Sequence, residues 1–359
     1  MTIFSSRRSR VAASLAAVAI SALALSACSS SSDAGGDAST SSDGDSAMKK
    51  DITVQLSWIK NEEFAGEFFA DSKGYYTDAG FDSVTLVPGP STSAPELISG
   101  TADFGMSDAV STGSVIASEG APLKIIGTTY QKNPFTVLSL ADGGDIATVD
   151  DLVGKKIGVQ DSNTALFNAF LSANGLTSDD VEIVPVQYDP APLINGEVDG
   201  FISYLTNEAI IVANEGYDTT NLPFADNGLP FVAETLVTTD DMIANYPETV
   251  KAFLKAEIMG WTDLVNDPEE GARLAYEEYG ADLDLNPENS TAGSIAQVDL
   301  VVTDETAENG LFTISDELQA ATIESLAGAG IELSASDLFD LSLLAEVYEE
   351  NPDLIAYAG

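Results

Sequence analysis

The sequence predicts an α/β protein of two lobes, each a mainly parallel sheet flanked by helices, with two hinge crossings between them. Strand-like and helix-like segments alternate along most of the chain, which is typical of parallel sheets covered by helices. Part of this pattern recurs at a fixed offset of 96 residues. The C-terminal third is helical in period and too poor in strands for a sheet of its own, so we expect it to pack on the first lobe.

Apolar periodicity places the elements of both blocks. In the first block it predicts strands over 52–58, 81–87, 102–106 and 123–129, and helices over 64–72, 94–99 and 110–118. In the second block it predicts strands over 156–160 and 181–187 around a helix over 164–174. Crossings near 135–140 and 231–239 then divide the chain into lobe 1, residues 51–137 and 238–359, and lobe 2, residues 138–237.

The internal repeat consists of short matched segments. Residues 100–103, Gly-Thr-Ala-Asp, parallel residues 196–199, Gly-Glu-Val-Asp, and residues 117–120 parallel residues 213–216. Ser107 and Ser203 fall into the same register. The repeat indicates two lobes of similar construction, and coincidence within a common strand-to-helix pattern is the alternative.

The N-terminus predicts export and lipid attachment. Arg7, Arg8 and Arg10 precede an uncharged stretch that ends in Leu-Ser-Ala-Cys at Cys28, the single cysteine of the chain. This segment resembles a bacterial lipoprotein signal, which implies removal of residues 1–27 and acylation of Cys28 on the outer face of the cell membrane. An ordinary signal peptide or an uncleaved anchor is the alternative. Residues 28–50 are rich in Ser, Ala, Gly and Asp and predict a disordered tether.

Composition excludes several classes of function. The formal charge is −44, with 58 acidic and 14 basic residues, which disfavours nucleic acid, anionic membranes and anionic ligands without a local basic pocket. The chain has no histidine, and its one cysteine is assigned to the anchor. A Ser-His-Asp triad, a Cys-His dyad, a histidine-based zinc centre and a thiolate cluster are therefore impossible. We expect no catalytic residues, no metal site and no cofactor.

Five short motifs together carry a family resemblance. They are Gln55-Leu56-Ser57-Trp58 with Asn61 and Phe64-Ala65-Gly66, Lys73-Gly74-Tyr75-Tyr76, Pro88-Gly89, Ala102-Asp103-Phe104-Gly105, and Tyr204-Leu205-Thr206-Asn207-Glu208. The set resembles the solute-binding proteins of ABC importers of the thiamine-pyrimidine-precursor type, whose relatives include sulfonate, nitrate and riboflavin binders. The resemblance spans roughly residues 52–279. It implies a periplasmic-binding-protein type II fold that closes on a small molecule and meets a membrane permease.

One position departs from the family pattern. Pyrimidine-binding relatives often have a histidine where this chain has Phe64, and an aromatic residue there is more similar to the riboflavin-type branch. The pyrimidine synthases of the same fold consume an active-site histidine and need a cysteine-rich motif. The resemblance therefore implies a binding protein and not an enzyme.

Ligands of open α/β sheets bind at the carboxyl ends of the strands, which selects the candidate residues. Trp58 can stack on a flat ring or fill the core, and Asn61 can read a ring edge or cap a helix. Further candidates follow other strands or match the family motif, and several have capping or rim alternatives. They are Phe64, Ser107, Asp108, Tyr130, Gln131, Asn163, Thr164, Tyr188, Tyr204, Asn207 and Glu208.

The chemistry of these side chains favours a neutral or cationic amino-heterocycle. Glu208 can accept hydrogen bonds from an exocyclic amine, whereas only Lys60 and Lys132 lie near the motifs as anion ligands. Glu62 and Glu63, in the first-lobe motif, also favour such a ligand if they contact it, but a solvated surface position is the preferred interpretation.

We therefore expect a monomeric, lipid-anchored, extracytoplasmic binding protein that delivers a thiamine pyrimidine precursor or a riboflavin-like ligand to an ABC permease. One alternative keeps the fold and binds a small anion such as an alkylsulfonate or nitrate. Another is an extracellular hydrolase that uses paired carboxylates.

Overall fold

The structure, a computed structural model, describes residues 48–357. Cys28, the predicted signal peptide and almost all of the predicted tether lie outside the described residues. Along residues 48–357, no helix combines the length and the apolar character that crossing a bilayer requires.

Most strands of both blocks form where the apolar alternation predicts them, whereas the strand over 219–223 was not predicted. In chain order they are β1 Asp51–Gln55, β2 Ser83–Val87, β3 Phe104–Ser107, β4 Leu123–Tyr130, β5 Phe135–Leu140, β6 Lys156–Gln160, β7 Glu182–Val186, β8 Gly200–Tyr204, β9 Thr219–Pro223 and β10 Ala233–Thr239.

Helices follow most of these strands. In the two sheet-forming blocks they are α1 Ala65–Ser72, α2 Tyr75–Asp78, α3 Ala94–Ser99, α4 Ala109–Glu119, α5 Thr164–Ala173, α6 Ala191–Ile194 and α7 Glu208–Asn214. The C-terminal part contributes α8 Asp240–Asn245, α9 Pro247–Asn266, α10 Pro268–Leu274, α11 Pro287–Val301, α12 Asp304–Asn309, α13 Asp316–Gly328, α14 Ala335–Leu338 and α15 Ser342–Glu350.

Two mixed sheets organise the described residues and confirm the predicted fold class. The first sheet has the order β2-β1-β3-β10-β4 and the second the order β7-β6-β8-β5-β9. Four strands of each sheet run in one direction, and one strand, β10 or β5, runs antiparallel to both of its neighbours. That antiparallel strand enters each sheet from the other block of the chain. The predicted lobe division after residues 137 and 237 falls inside β5 and β10, and the assignment of lobes stays a prediction.

The two sheets match each other strand for strand, as the sequence repeat indicates. The backbone N–H of Asp103 donates to the Thr53 carbonyl at 2.9 Å, and the Thr53 N–H donates back to the Asp103 carboxylate at 2.9 Å. Asp199 makes the same two bonds with Lys156, at 2.8 and 2.9 Å. The repeated Gly-x-x-Asp segment therefore performs the same task in both sheets, which is to fix the start of β3 or β8 beside the adjacent strand.

A close helix crossing supports the first sheet. Helices α1 and α9 meet at Gly66 and Gly260, and a Cβ atom at residue 260 would overlap the carbonyl oxygen of Gly66. A Cβ atom at residue 66 would overlap the indole ring of Trp261, which is fully buried. The glycine of the Phe64-Ala65-Gly66 motif is therefore needed for close packing.

The C-terminal helices pack on the first sheet, as predicted. Phe312 and Phe339 form single bridges to Thr128 and Ile125 of β4, which joins the C-terminal segment to the edge of that sheet. The same segment also reaches the second block, because α11 contacts α7 and the Asn214 side chain donates to Asn289 at 2.8 Å.

Candidate ligand-binding cleft

A cleft lies at the carboxyl ends of strands from both sheets. It contains about 510 Å³ of space free of protein atoms, counting its open mouth, and we call it the main cleft. Its lining residues come from both sheets, as the topology of such folds requires. They are Ser57, Trp58, Glu63, Ser91, Thr92, Ser107, Asp108, Ser111, Phe135, Gln160, Ser162, Asn163, Ile202, Ser203, Tyr204, Asn207, Glu208 and Glu234.

Aromatic side chains form walls of the main cleft. Trp58 follows β1 and is 9% exposed, while Tyr204 ends β8 on the opposite sheet. The Tyr204 ring packs edge-on against Phe135, with 4.5 Å between ring centroids and 82° between planes. Trp58, Tyr204, Asn207 and Glu208, all candidates from the sequence, line this one cleft.

Several predicted polar residues line the main cleft and also serve local structure. Asp108 caps α4, because its Oδ1 accepts from the N–H groups of Val110 and Ser111 at 2.8 Å each. Asn163 donates from Nδ2 to Gln160 Oε1 at 3.0 Å, and Gln160 in turn donates to the Ile202 carbonyl at 3.0 Å. Asp108 therefore caps α4 and also lines the main cleft.

Glu208 is the predicted acceptor of the second sheet. It is buried, and its Oε2 accepts from the Tyr204 N–H at 2.9 Å. Burial raises the pKa of Glu208 to about 7, and the hydrogen bond from Tyr204 partly opposes this increase. Near neutral pH this carboxyl group can therefore act as an acceptor when ionised or as a donor when protonated.

Glu234, a carboxylate of the main cleft, was not predicted from the sequence. Its Oε1 accepts from the Tyr204 hydroxyl at 2.8 Å and its Oε2 accepts from the Ser57 hydroxyl at 3.0 Å, which links the two sheets across the cleft. Burial raises its pKa to about 7. Its backbone φ of 46° is in the left-handed region that non-glycine residues rarely occupy. A lone acidic residue inside an apolar strand, β10, is the sequence signal that identifies it.

The interpretation of Glu62 and Glu63 as solvated surface residues is wrong, because each is only 6% exposed. Both lie in a 3₁₀ turn before α1, which directs the chain inward. Burial raises the pKa of Glu62 to about 7. Burial and the nearby charge of Glu234 raise the pKa of Glu63 well above its usual range.

A second cleft adjoins the first and shares Trp58, Asn207 and Glu208 with it. It contains Asn61 and Tyr188, two further predicted residues. Asn61 is buried and its amide atoms have no hydrogen-bond partner among the described residues, whereas Tyr188 is 43% exposed.

Four further predicted residues line neither of these two clefts. Phe64 is fully buried in the core beneath α1, and Gln131 donates to the Thr313 carbonyl at 2.9 Å instead of facing the cleft. Thr164 bonds locally, with 3.4 Å from its hydroxyl to the Gln160 carbonyl. Tyr130 lines a small adjoining cavity, and its hydroxyl donates to Gln297 at 2.7 Å. Burial and tertiary partners, which the local pattern does not reveal, decide these positions.

The lining of the main cleft is acidic. Among the described residues that form it are four carboxylic acids, Glu63, Asp108, Glu208 and Glu234, and neither lysine nor arginine. Lys132 instead pairs at 2.9 Å with Asp226 on the surface. The cleft therefore has hydrogen-bond acceptors but no side-chain cation to balance a bound anion.

Comparisons with known proteins agree with this architecture. A family model described as NMT1/THI5 like matches residues 61–271. The riboflavin-binding protein RibY of Chloroflexus aurantiacus is 25% identical over 233 residues, which is 63% of this chain and 66% of RibY, slightly less than two thirds of its length. A 4-amino-5-hydroxymethyl-2-methylpyrimidine phosphate synthase of Schizosaccharomyces pombe is 27% identical over 242 residues, 64% of this chain and 68% of that protein.

Solved structures show the same fold. The periplasmic nitrate-binding protein NrtA of Synechocystis has a TM-score of 0.62 at 15% identity, covering 86% of this chain and 91% of its own. A ligand-binding component of an ABC-type import system from Staphylococcus aureus has a TM-score of 0.61 at 11% identity, covering 83% and 99%. The described residues therefore have the periplasmic-binding-protein fold.

Proposed function

The chain belongs to the NMT1/THI5-like family, and on that premise we propose that it is an extracytoplasmic substrate-binding protein of an ABC importer. Its ligand is an aromatic nitrogen heterocycle, either a thiamine pyrimidine precursor or a riboflavin-like molecule, held between the two sheets. The observation that carries this proposal is one crevice with aromatic walls at Trp58 and Tyr204, carboxyl acceptors and no side-chain cation among its described lining residues.

The aromatic walls favour a flat ligand. A ring stacked on an indole gains about 1 kcal/mol beyond the free energy of burying its area. Glu208 and Asn207 at the start of α7 then supply an acceptor and an amide for the ring edge. The names of two relatives, a riboflavin-binding protein and a pyrimidine phosphate synthase, support ligands of this class.

A small anion is the alternative ligand, and the nitrate-binding structural neighbour supports it. The four carboxyl groups of the main cleft argue against it, because an anion there gains no charged partner and is repelled by any ionised glutamate.

We also propose that the protein is not an enzyme, although relatives are named synthases. The chain has no histidine, so a synthesis that consumes an active-site histidine is not open to it. The position of Cys28 after a secretion-like segment supports membrane attachment through a lipid, with an ABC permease as the partner.

Binding measurements test the proposal. We expect calorimetry and thermal shift on the purified protein to detect 4-amino-5-hydroxymethyl-2-methylpyrimidine or riboflavin, and the Trp58→Ala variant to bind at least tenfold more weakly. Tyr217→Ala, at an exposed tyrosine that lines neither cleft, is the matched control and should change affinity little. Binding of taurine or nitrate with no response to either heterocycle would reverse the choice of ligand.

A further inference from the structure

The main cleft contains two buried carboxyl groups, those of Glu63 and Glu234. Burial and the nearby charge of Glu234 raise the pKa of Glu63 well above its usual range, so the pair favours holding a proton. Both side chains are buried and line the cleft, one from the turn before α1 and one from β10. Two buried carboxyl groups without a cation are unfavourable unless protonated, so this arrangement is held by the rest of the fold.

An independent observation at the same cleft points to a missing partner. The hydroxyl groups of Ser107 and Ser203 are buried and have no hydrogen-bond partner among the described residues, although each serine is only 3% exposed. Both line the main cleft, at the ends of β3 and β8. They occupy equivalent positions of the internal repeat, so one approaches from each sheet. Buried hydroxyl groups normally have a partner, and a bound molecule between the sheets would supply one to both.

We propose that Glu63 and Glu234 form a cation-binding subsite of the main cleft, for a heterocycle that carries a positive charge or a protonated amine. Ser107 and Ser203 supply neutral hydrogen bonds to the same ligand. This inference rests on the proposed function and narrows it to one ligand class. The cationic group balances the charge of Glu234 when that carboxyl group ionises, and the Glu234 proton leaves to solvent, while Glu63 keeps its own proton.

The surroundings of the pair strengthen the preference for a cation. Titratable groups that face it from the packed elements are all acidic or phenolic, namely Glu62, Glu67, Asp108, Tyr130, Tyr204 and Glu208. Tyr204 and Ser57 already donate to Glu234, so the pair has hydrogen bonds that remain when it ionises. A ligand cation would supply the missing positive charge in a site of low dielectric.

Proton linkage fixes the direction in which the affinity for a cation should change with pH. Burial raises the pKa of Glu234 to about 7, so the free pair holds an extra proton below that pH. Binding of a cation releases that proton, and affinity should therefore rise with pH up to about 7 and level off above it. Thiamine is a suitable probe because its thiazolium charge does not titrate, whereas riboflavin is neutral in the same range.

The experiment is calorimetry of the purified protein with thiamine and with riboflavin at pH 6 and pH 8, in two buffers of different ionisation enthalpy. We expect thiamine to bind about tenfold more tightly at pH 8 and to release about one proton at pH 6. Glu234→Gln should abolish this pH dependence and weaken thiamine by at least tenfold. Ser107→Ala and Ser203→Ala should each weaken it several-fold while leaving the proton release intact.

Glu257→Gln removes a buried glutamate that does not line the cleft and is the matched control, expected to leave binding unchanged. Two results would overturn the inference and leave the proposed function standing. One is that riboflavin or the pyrimidine binds as well as thiamine does. The other is that thiamine binds without releasing a proton. Failure of every heterocycle to bind would overturn both.

Discussion

Two pairs of buried glutamates in this protein have nearly the same chemistry and different surroundings. The cleft pair, Glu63 and Glu234, lines the main cleft, while the sealed pair, Glu67 and Glu257, lies between α1 and α9. In each pair one glutamate accepts from a tyrosine hydroxyl, Tyr204 for Glu234 and Tyr76 for Glu257. Burial raises the pKa of every member, because an ionised carboxylate is poorly solvated there.

The surroundings decide what each pair can do. Glu67 and Glu257 are completely buried, and the Trp261 N–H donates to Glu67 at 3.2 Å, so protein closes this site. The cleft pair instead borders open space that a ligand can enter. The comparison shows that a raised pKa alone does not identify a ligand site, since only the pair beside a cavity has room for a partner.

The largest expected effect concerns the pH dependence of stability. Burial raises the pKa of Glu67 to about 8 and that of Glu257 well above its usual range, whereas both titrate near 4.5 in the unfolded chain. A raised folded-state pKa of an acid means that its stabilising contribution is complete below pH 4.5 and is lost as pH rises toward 8.

Glu257→Gln removes one of these titrations. The free energy of unfolding of the parent should fall more steeply with pH than that of the variant. We expect the difference, variant minus parent, to increase by about 1 kcal/mol per pH unit between pH 5 and pH 8. Urea titrations at several pH values measure this difference. Parallel curves for the two proteins would contradict a buried, protonated sealed pair.

The next effect tests what keeps the sealed pair closed. Gly260→Ala places a methyl group against the Gly66 carbonyl and forces α1 and α9 apart, which should destabilise the protein by about 3 kcal/mol. Denaturant unfolding measures the loss. Gly328→Ala, at the end of α13 where a Cβ atom meets no neighbour within 4 Å, is the control and should be nearly neutral.

The smallest effect compares the two tyrosines directly. Tyr76→Phe leaves Glu257 without its hydroxyl donor in a closed site and should cost about 1–2 kcal/mol of folding stability. Tyr204→Phe removes the equivalent donor of Glu234 beside the cleft, where water can replace it, and should cost less than about 1 kcal/mol. Equal losses in thermal unfolding would mean that the two pairs are equally closed.

Periodicity predicted the α/β alternation, and the family resemblance added the binding-protein fold. Alternating apolar residues define strands such as β6, predicted over 156–160 and observed at Lys156–Gln160, because strand and helix patterns are local properties of the chain. The repeat at an offset of 96 residues likewise predicted matched sheets, since Asp103 and Asp199 use the same bonds to fix their strands. The rule that ligands bind at strand ends then led to Trp58, Asp108 and Tyr204.

By itself, the sequence determined the alternation of strands and helices, the acidic charge and the absence of histidine, because each is a property of composition or of neighbours along the chain. Only the tertiary structure decided that Glu63 meets Glu234 across 171 positions of sequence, and that Phe64 and Gln131 point into the core and not the cleft. Long-range burial controls these outcomes: a glutamate in an exposed turn and one in a buried turn have the same local pattern, and only the packing of α1, α9 and β10 distinguishes them.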